Sequence, residues 1–501
     1  MPERASRRLE WRERWFGAEQ RQRLRVGARR HWIFLAVLGV ALALRVVTQI
    51  AYRPALLYID SYRYLGNLHN LDPAQNSQPI GYIALLLRPV LSVGNLAVVA
   101  GVQHILGLGM GVAIYALLIR LGVRRWIAVL AAVPVLLDAY QLQIEQNIMS
   151  ETLFEALILA AVVLLLWTRP PPLAPLAIGG VLFGLAATVR SVGAVLVVPA
   201  VVFALVAGTG GWQRLIRAAT IGLAFMLVIA TYAGYSWIKA GEVGLSRGDA
   251  YLIYGRAATF VDCRGLDLPD YERVLCPPEP LAHRLGSDAY AHHSPYPRQV
   301  VVPPGKSRDQ VLRDFGRRVI LHQPLDYAKA VGTDFVKLFA FRRTTFSRDV
   351  PLERWQFQRS YPTLGLDATS ATRTYGGGKP RAIEPLAVFL RDYQLSVGYV
   401  PGPVYAIAFI AGLLAAAGVG RARRSGLRAA SLLPTLCGLG VLLAADLFLF
   451  SWRYQLPALT LEPLAGALGL TAITGRVTPT SPRPSPAAAP PDAPGSSSVA
   501  S

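Results

Sequence analysis

Ten stretches of about 20 mostly apolar residues recur along the chain, and this limits the possible folds more than any other feature. They run roughly over 31–50, 95–119, 126–142, 149–167, 173–190, 192–209, 215–238, 399–419, 427–449 and 454–474. A segment this apolar is stable in a bilayer as a helix, because a helix satisfies its own backbone hydrogen bonds where no water can. The expected fold class is therefore an all-α polytopic membrane protein with about ten transmembrane helices. The stretch 80–93 is apolar but short, and it holds Arg88 and Pro89. It reads as an interfacial or re-entrant helix. Composition agrees: 16% of residues are charged and 53% hydrophobic, against about 25% charged in soluble domains.

Charge sets the expected orientation. The net charge is +21, and of the 51 basic residues only Lys239, Lys306, Lys329, Lys337 and Lys379 are not Arg. Such a balance also suits nucleic-acid binding, but in a membrane chain it is better explained by basic loops retained in the cytoplasm. The arm 1–30 carries ten Arg and is placed inside. Alternation then puts every basic short loop, at 120–125, 168–172, 210–217 and 420–428, on that same side. The first apolar segment has no small-residue cleavage site after it and is expected to stay as a helix. The division that follows is a basic cytoplasmic arm 1–30, spans 1–7 over 31–238 with a first outside loop 51–94, an extracytoplasmic mixed or helical segment 239–398 between spans 7 and 8, spans 8–10 over 399–475, and a Pro, Ala and Ser-rich disordered cytoplasmic tail 476–501.

Within 239–398, Cys263 and Cys276 form a lone pair in an exported segment, which favours a disulfide over two free thiols. No second Cys pair follows at zinc spacing. His292 and His293 are adjacent, and adjacent residues on a helix or strand do not face one site. Ser307 to Gln310 reads as a capping box opening one helix, and Pro324 opens a second. Both helices are expected to lie apolar face down on the outer membrane surface. The stretch 366–380 reads as a mobile Gly and Thr-rich loop.

Candidate chemistry lies at the outer boundary. Asp60 stands in Leu57-Tyr-Ile-Asp-Ser-Tyr-Arg-Tyr, shortly after span 1, and leads on to Gln78-Pro-Ile-Gly-Tyr82. A partly desolvated carboxylate there can take a proton from a hydroxyl, or it can cap the helix that follows. Glu151 begins span 4, where a helix start favours an acid. Glu155, one turn deeper, is harder to explain as a cap. Arg190 and Arg453 are isolated at the outer boundary, with Asp446 about a turn inside span 9. Such Arg residues either pair with a carboxylate or phosphate, or snorkel to headgroups.

Together these residues resemble the GT-C superfamily of membrane glycosyltransferases, in its protein-mannosyltransferase and aminoarabinose-transferase-like branch. The resemblance rests on Asp60, on Gln78-Pro79-Ile-Gly-Tyr82, on Met149-Ser-Glu151-Thr-Leu-Phe154 and on Arg453-Tyr454-Gln-Leu-Pro457. It covers about 31–238 and 399–475. The chain departs from it where Ser61 follows Asp60, leaving one carboxylate where relatives carry two, and where Gln78 replaces the first of two prolines. The resemblance implies hexosyl or pentosyl transfer from a polyprenyl-phosphate-linked sugar to a hydroxyl on the outer face. The acceptor would be a cell-envelope glycan, a glycolipid or an exported protein, and no nucleic acid is involved. Asp60 is then the base, with Glu151 orienting the acceptor or holding a divalent cation such as Mg or Mn. Arg190 and Arg453 meet the departing phosphate, and Tyr62, Gln78, Tyr82 and Tyr454 complete the binding set. No other cofactor is implied. The alternative is a transporter or flippase for lipids or lipid-linked sugars, which would call for polar groups through the midplane and internal repeats.

The expected topology has a direct test. A cysteine introduced within 370–378 should be labelled by an impermeant maleimide from outside intact cells. Labelling only after permeabilisation would reverse the orientation.

Overall fold

A helix forms in each of the ten apolar stretches, but their lengths differ. The computed structural model describes residues 26–475 apart from 28, 76, 209, 242, 247–248 and 363–366. The tail 476–501 and most of the basic arm lie outside the described residues. The helices are α1 (Trp32–Ala51), α2 (Ile59–Gly66), α3 (Arg88–Val93, entered through a π turn at Ile83–Leu87), α4 (Leu96–Arg120) and α5 (Arg125–Leu137). They continue as α6 (Ala139–Gln146), α7 (Glu151–Trp167), α8 (Leu173–Val189), α9 (Val197–Ala207) and α10 (Gly211–Ala240). The intervening segment contributes α11 (Asp249–Ala258), α12 (Ser287–His292), α13 (Arg308–His322), α14 (Pro324–Lys337), α15 (Ala368–Tyr375) and α16 (Glu384–Ser396). The chain closes with α17 (Gly402–Ala417), α18 (Arg428–Asp446) and α19 (Ala458–Thr474), the last preceded by a 3-10 turn at Trp452–Gln455.

Among the described residues, five helical segments are long and apolar enough to cross a membrane: α1, α4, α10, α18, and Trp452–Thr474. A sixth arises if α5 and α6, bent by 44° at Asp138, count as one broken span. The expected ten is thus not reached by length. Stretches that look continuous in sequence are cut short: α8 has 17 residues and α17 has 16, or about 24–26 Å at the helical rise, against about 30 Å of hydrocarbon. Arg190 stops α8, and Pro401 and Gly418 bound α17.

Small residues set the closest crossings. A Cβ on Gly469 of α19 would stand 2.4 Å from the Ala411 carbonyl oxygen of α17. These two backbones meet only because nothing larger is present. The main apolar core joins α1, α4, α5, α7, α8 and the closing helices through residues such as Ile114, Leu136, Phe154, Phe183 and Leu464.

The segment 239–398 divides in two. Its first part has its own core, in which Tyr254, Leu275, Tyr290, Leu312 and Phe315 bury one another beside Cys263 and Cys276. Helix α13 carries the expected capping box at Ser307 and Gln310. Its face of Val311, Leu312, Phe315 and Val319 turns into this core, not down onto a membrane as expected. Helix α14 does lie against the bundle, with Leu338 packed on Leu442 and Ala458. Arg256 of α11 clamps the two layers, bonding Asp334 of α14 and the Asp446 backbone oxygen at the end of α18. The second part lies over α1 and α6, where Phe357 and Leu390 are buried with Tyr52 and Ala139. There a two-residue antiparallel pairing joins Tyr52–Arg53 (β1) to Arg381–Ala382 (β2). The expected loop at 366–380 is instead largely α15, capped by the Asp367 side chain on the Ser370 amide and ended by three glycines at positive φ.

Cys263 and Cys276 form the expected disulfide, 13 residues apart. Mapping of unreduced peptides should find them linked, and reduction should cost about 3 kcal/mol through loss of chain constraint on the unfolded state. Two alkylatable thiols in native protein would refute the pairing.

Candidate functional site

Two backbone contacts bring separate parts of the sequence together. The chain leaving α1 runs beside the segment between α6 and α7: the Leu56 amide donates to the Gln146 oxygen at 2.9 Å and the Ile148 amide to the Leu56 oxygen at 3.1 Å. This places α2, which carries Asp60, next to the start of α7, which carries Glu151. Gly81 supplies the second contact. A Cβ there would sit 2.4 Å from the Thr188 oxygen, so only glycine lets the stretch after Gln78 press against the end of α8 beside Arg190.

Asp60 does not cap its helix. Tyr58 is the N-cap residue, and the Ser61 hydroxyl accepts from the Tyr58 amide at 2.9 Å. The Asp60 carboxylate is left to make ion pairs. Its Oδ2 accepts from Arg453 Nη1 at 2.5 Å, and its Oδ1 from Gln78 Nε2 at 2.7 Å and Arg63 Nη1 at 3.3 Å. Burial alone would raise this carboxyl, but Arg453, then Arg63 and Arg190, outweigh it and hold the pKa below the ordinary value. Glu151 Oε1 accepts from Arg190 and lies 3.1 Å from Arg453 Nε. Arg190 also reaches the Ser150 hydroxyl at 3.4 Å, which in turn accepts from Tyr64 at 3.0 Å. Aromatic faces hold both guanidiniums: Arg190 lies 4.9 Å from the Tyr454 ring, and Arg453 lies 4.9 Å from the Trp355 ring and 4.8 Å from that of Tyr454.

Apart from Ser61, Tyr64 and Trp355, these groups line one cavity of about 640 Å³. One wall is polar, with Asp60, Gln78, Glu151, Arg190, Arg453 and Tyr454. An apolar wall of Val189, Val192, Val441, Ala445 and Phe448 continues from it. The outer rim comes from the intervening segment and includes Asp249, Asp288, His292, His293 and Arg354. The two histidines therefore do share a site, contrary to the expectation from their adjacency, because α12 ends at His292 and the chain turns there. Burial holds His292 below the ordinary value against the pull of Asp288, with Arg63 and His293 adding to the effect.

Of the expected residues, Asp60, Gln78, Glu151, Arg190, Arg453 and Tyr454 converge on this cavity. Tyr82 is fully buried and donates to Gln103 at 2.8 Å, and Tyr62 packs on the apolar core; neither is among the lining residues. Asp446 bonds Gln455 at 3.0 Å instead of lining the cavity. Arg63, Arg354 and Trp355 carry no signal in the sequence that would have singled them out, whereas the His292–His293 pair is visible there and only its adjacency argued against a shared site. A divalent cation at Glu151 fits poorly, since two guanidiniums already share one of its oxygens. No group of three or more His, Cys, Asp or Glu forms a metal site among the described residues.

No family model and no curated protein matches the sequence. Among solved structures, the chain is similar to the archaeal oligosaccharyltransferase AglB from Archaeoglobus fulgidus, solved in complex with an inhibitory peptide and a dolichol-phosphate, at 13% identity and a TM-score of 0.39. The match covers 89% of this chain and 50% of that one, so this chain spans about half its length. A superposition this loose does not establish a common fold.

Because Asp60 is more acidic folded than unfolded, it stabilises the fold above the unfolded carboxyl range near ~3.9, and that contribution fades as pH falls through the folded pKa. Asp60→Asn should therefore flatten the acid limb of the Tm–pH profile. Arg453→Met should be worse, costing about 3–5 kcal/mol, because it removes the one buried cation that two buried carboxylates share. Thermal melts across pH measure both, and an Arg453→Met protein as stable as wild type would show that the ion pairs hold nothing together.

Proposed function

We propose that this protein is a membrane glycosyltransferase that moves a sugar from a polyprenyl-phosphate donor to an acceptor hydroxyl on the outer face of the membrane. The observation that carries this reading is the convergence of Asp60, Glu151, Arg190 and Arg453, from four distant parts of the chain, in one cavity with an adjoining apolar wall. A lipid phosphate needs such a pair of surfaces: guanidiniums for the phosphate and apolar side chains for the chain attached to it.

The acceptor oxygen attacks the anomeric carbon. The new C–O bond forms as the bond from that carbon to the phosphate oxygen breaks, and the phosphate leaves with the bonding electrons. Arg190 and Arg453 neutralise the charge that develops on it. Asp60, held acidic by Arg453, is a weak base while that contact lasts. When the donor phosphate draws Arg453 to itself, Asp60 loses the strongest of the contacts that hold it acidic, becomes more basic, and takes the hydroxyl proton. Glu151 keeps Arg190 and Arg453 aimed at the phosphate. The outer rim formed by 249–298 and Arg354 faces the acceptor.

Asp60→Asn tests this reading in proteoliposomes supplied with polyprenyl-phosphate sugars. The variant should insert, fold and bind the lipid donor, yet transfer about 10²–10⁴-fold more slowly. Transfer above about a tenth of wild type, short of the usual effect of losing a base, would remove Asp60 from the reaction. Movement of donor across the bilayer without transfer would favour a flippase.

A further inference from the structure

Among the described residues, three glutamates are fully buried among the apolar helices, and they differ in one respect. Glu145 is fully partnered: Oε1 accepts from Arg45 at 2.8 Å and Gln141 at 3.3 Å, and Oε2 meets His104 at 2.8 Å. Glu462 has no partner on either oxygen and packs against Gly438, and it is not among the residues lining the cavity. Glu155 also has neither oxygen bonded among the described residues and is only 1% exposed, but it does line the cavity, one turn below Glu151. A buried carboxyl without partners works against folding, so its presence on a cavity wall points to a ligand.

The neighbouring atoms indicate which ligand. Gln78 donates its amide to Asp60, which fixes the orientation of that amide and leaves its oxygen unbonded. Glu151 Oε2 is likewise buried and unbonded. Gln78, Glu151 and Glu155 thus line one cavity and carry four buried oxygens with no protein donor to meet them among the described residues. A phosphate brings only more acceptors and negative charge. A hydroxyl-bearing ring brings donors. Resting on the transferase reading above, we propose that Glu155, with Gln78 and Glu151, forms the wall that binds the hydroxyls of the transferred sugar and so determines which sugar the site accepts. The guanidiniums that share Glu151 argue against a cation in the same place.

The test uses the full chain in nanodiscs with two kinds of probe: bare polyprenyl monophosphate, and a panel of polyprenyl-phosphate hexoses and pentoses. Wild type should bind at least one sugar-bearing lipid more tightly than the bare phosphate. Glu155→Leu should lose about tenfold or more for that lipid, as expected when a hydrogen-bonding pocket loses its polar group. It should hold the bare phosphate within about twofold and shift Tm upward, since it removes a buried unpaired carboxyl. Glu462→Leu should also raise Tm but leave both lipids unaffected. A purely structural Glu155 would instead lower Tm on substitution, which would overturn the proposal. So would equal loss for both lipids, no loss for either, or a Tm of wild type raised by Mg or Mn in a Glu155-dependent way. If Glu155→Leu does not fold, Glu155→Gln decides on the same two lipids, with a loss confined to the sugar-bearing one expected. Wild type that binds the bare phosphate but gains nothing from a sugar overturns this proposal while leaving the lipid-phosphate reading in place. Wild type that binds neither overturns both.

Discussion

The Arg453 guanidinium is the interaction on which the rest of the site depends. It touches Asp60 through one nitrogen and lies against Glu151 through another, between the Trp355 and Tyr454 rings. Those four partners come from α2, α7, the part of the intervening segment that lies over the spans, and the turn before α19. A buried guanidinium is costly to desolvate and is tolerated only when fully matched. Matching it requires all four parts to be in place together. The same pairing keeps Asp60 ionised.

The buried charges form two separate groups. Arg45, Glu145 and His104 pair with one another through their charged or ring atoms, and Gln103 bridges to the backbone oxygens of Glu145 and Asn147 and to Tyr82. Such a network fixes α1, α4 and α6 relative to one another. Around Glu155 and Gln78 acceptors are left over. A network whose ionisable side chains all pair with one another serves the fold, whereas a surplus of one kind of hydrogen-bonding atom beside a cavity suits something that arrives later.

The intervening segment contributes to both rigidity and access. Its first part folds on its own core around a disulfide, and Arg256 ties that core to α14 and the end of α18. It also brings Asp288, His292 and Arg354 to the cavity rim. The apolar face of α13 shows why hydrophobic periodicity alone did not place this segment. The spacing of Val311, Leu312, Phe315 and Val319 says that one face is buried, but not whether lipid or protein covers it.

The sequence by itself determined that the chain is helical and rich in membrane-length apolar stretches, that Ser307 opens a helix, that Cys263 and Cys276 favour a disulfide, and that Asp60, Glu151, Arg190 and Arg453 were the polar residues to watch. Each of these follows from local chemistry: apolar runs, a side chain reaching its own backbone, ionisable groups at the edge of apolar runs. The tertiary structure alone decided which of those residues meet. The pairing of Arg453 with Asp60 spans 393 positions, and no local spacing encodes such a contact. It likewise decided that Tyr62 and Tyr82 turn away, that His292 and His293 share a rim, that several apolar stretches stop short of membrane length, and that Glu155 has no partner among the described residues. Burial and pairing are properties of what the rest of the chain brings to a position, so they emerge only once the helices have packed.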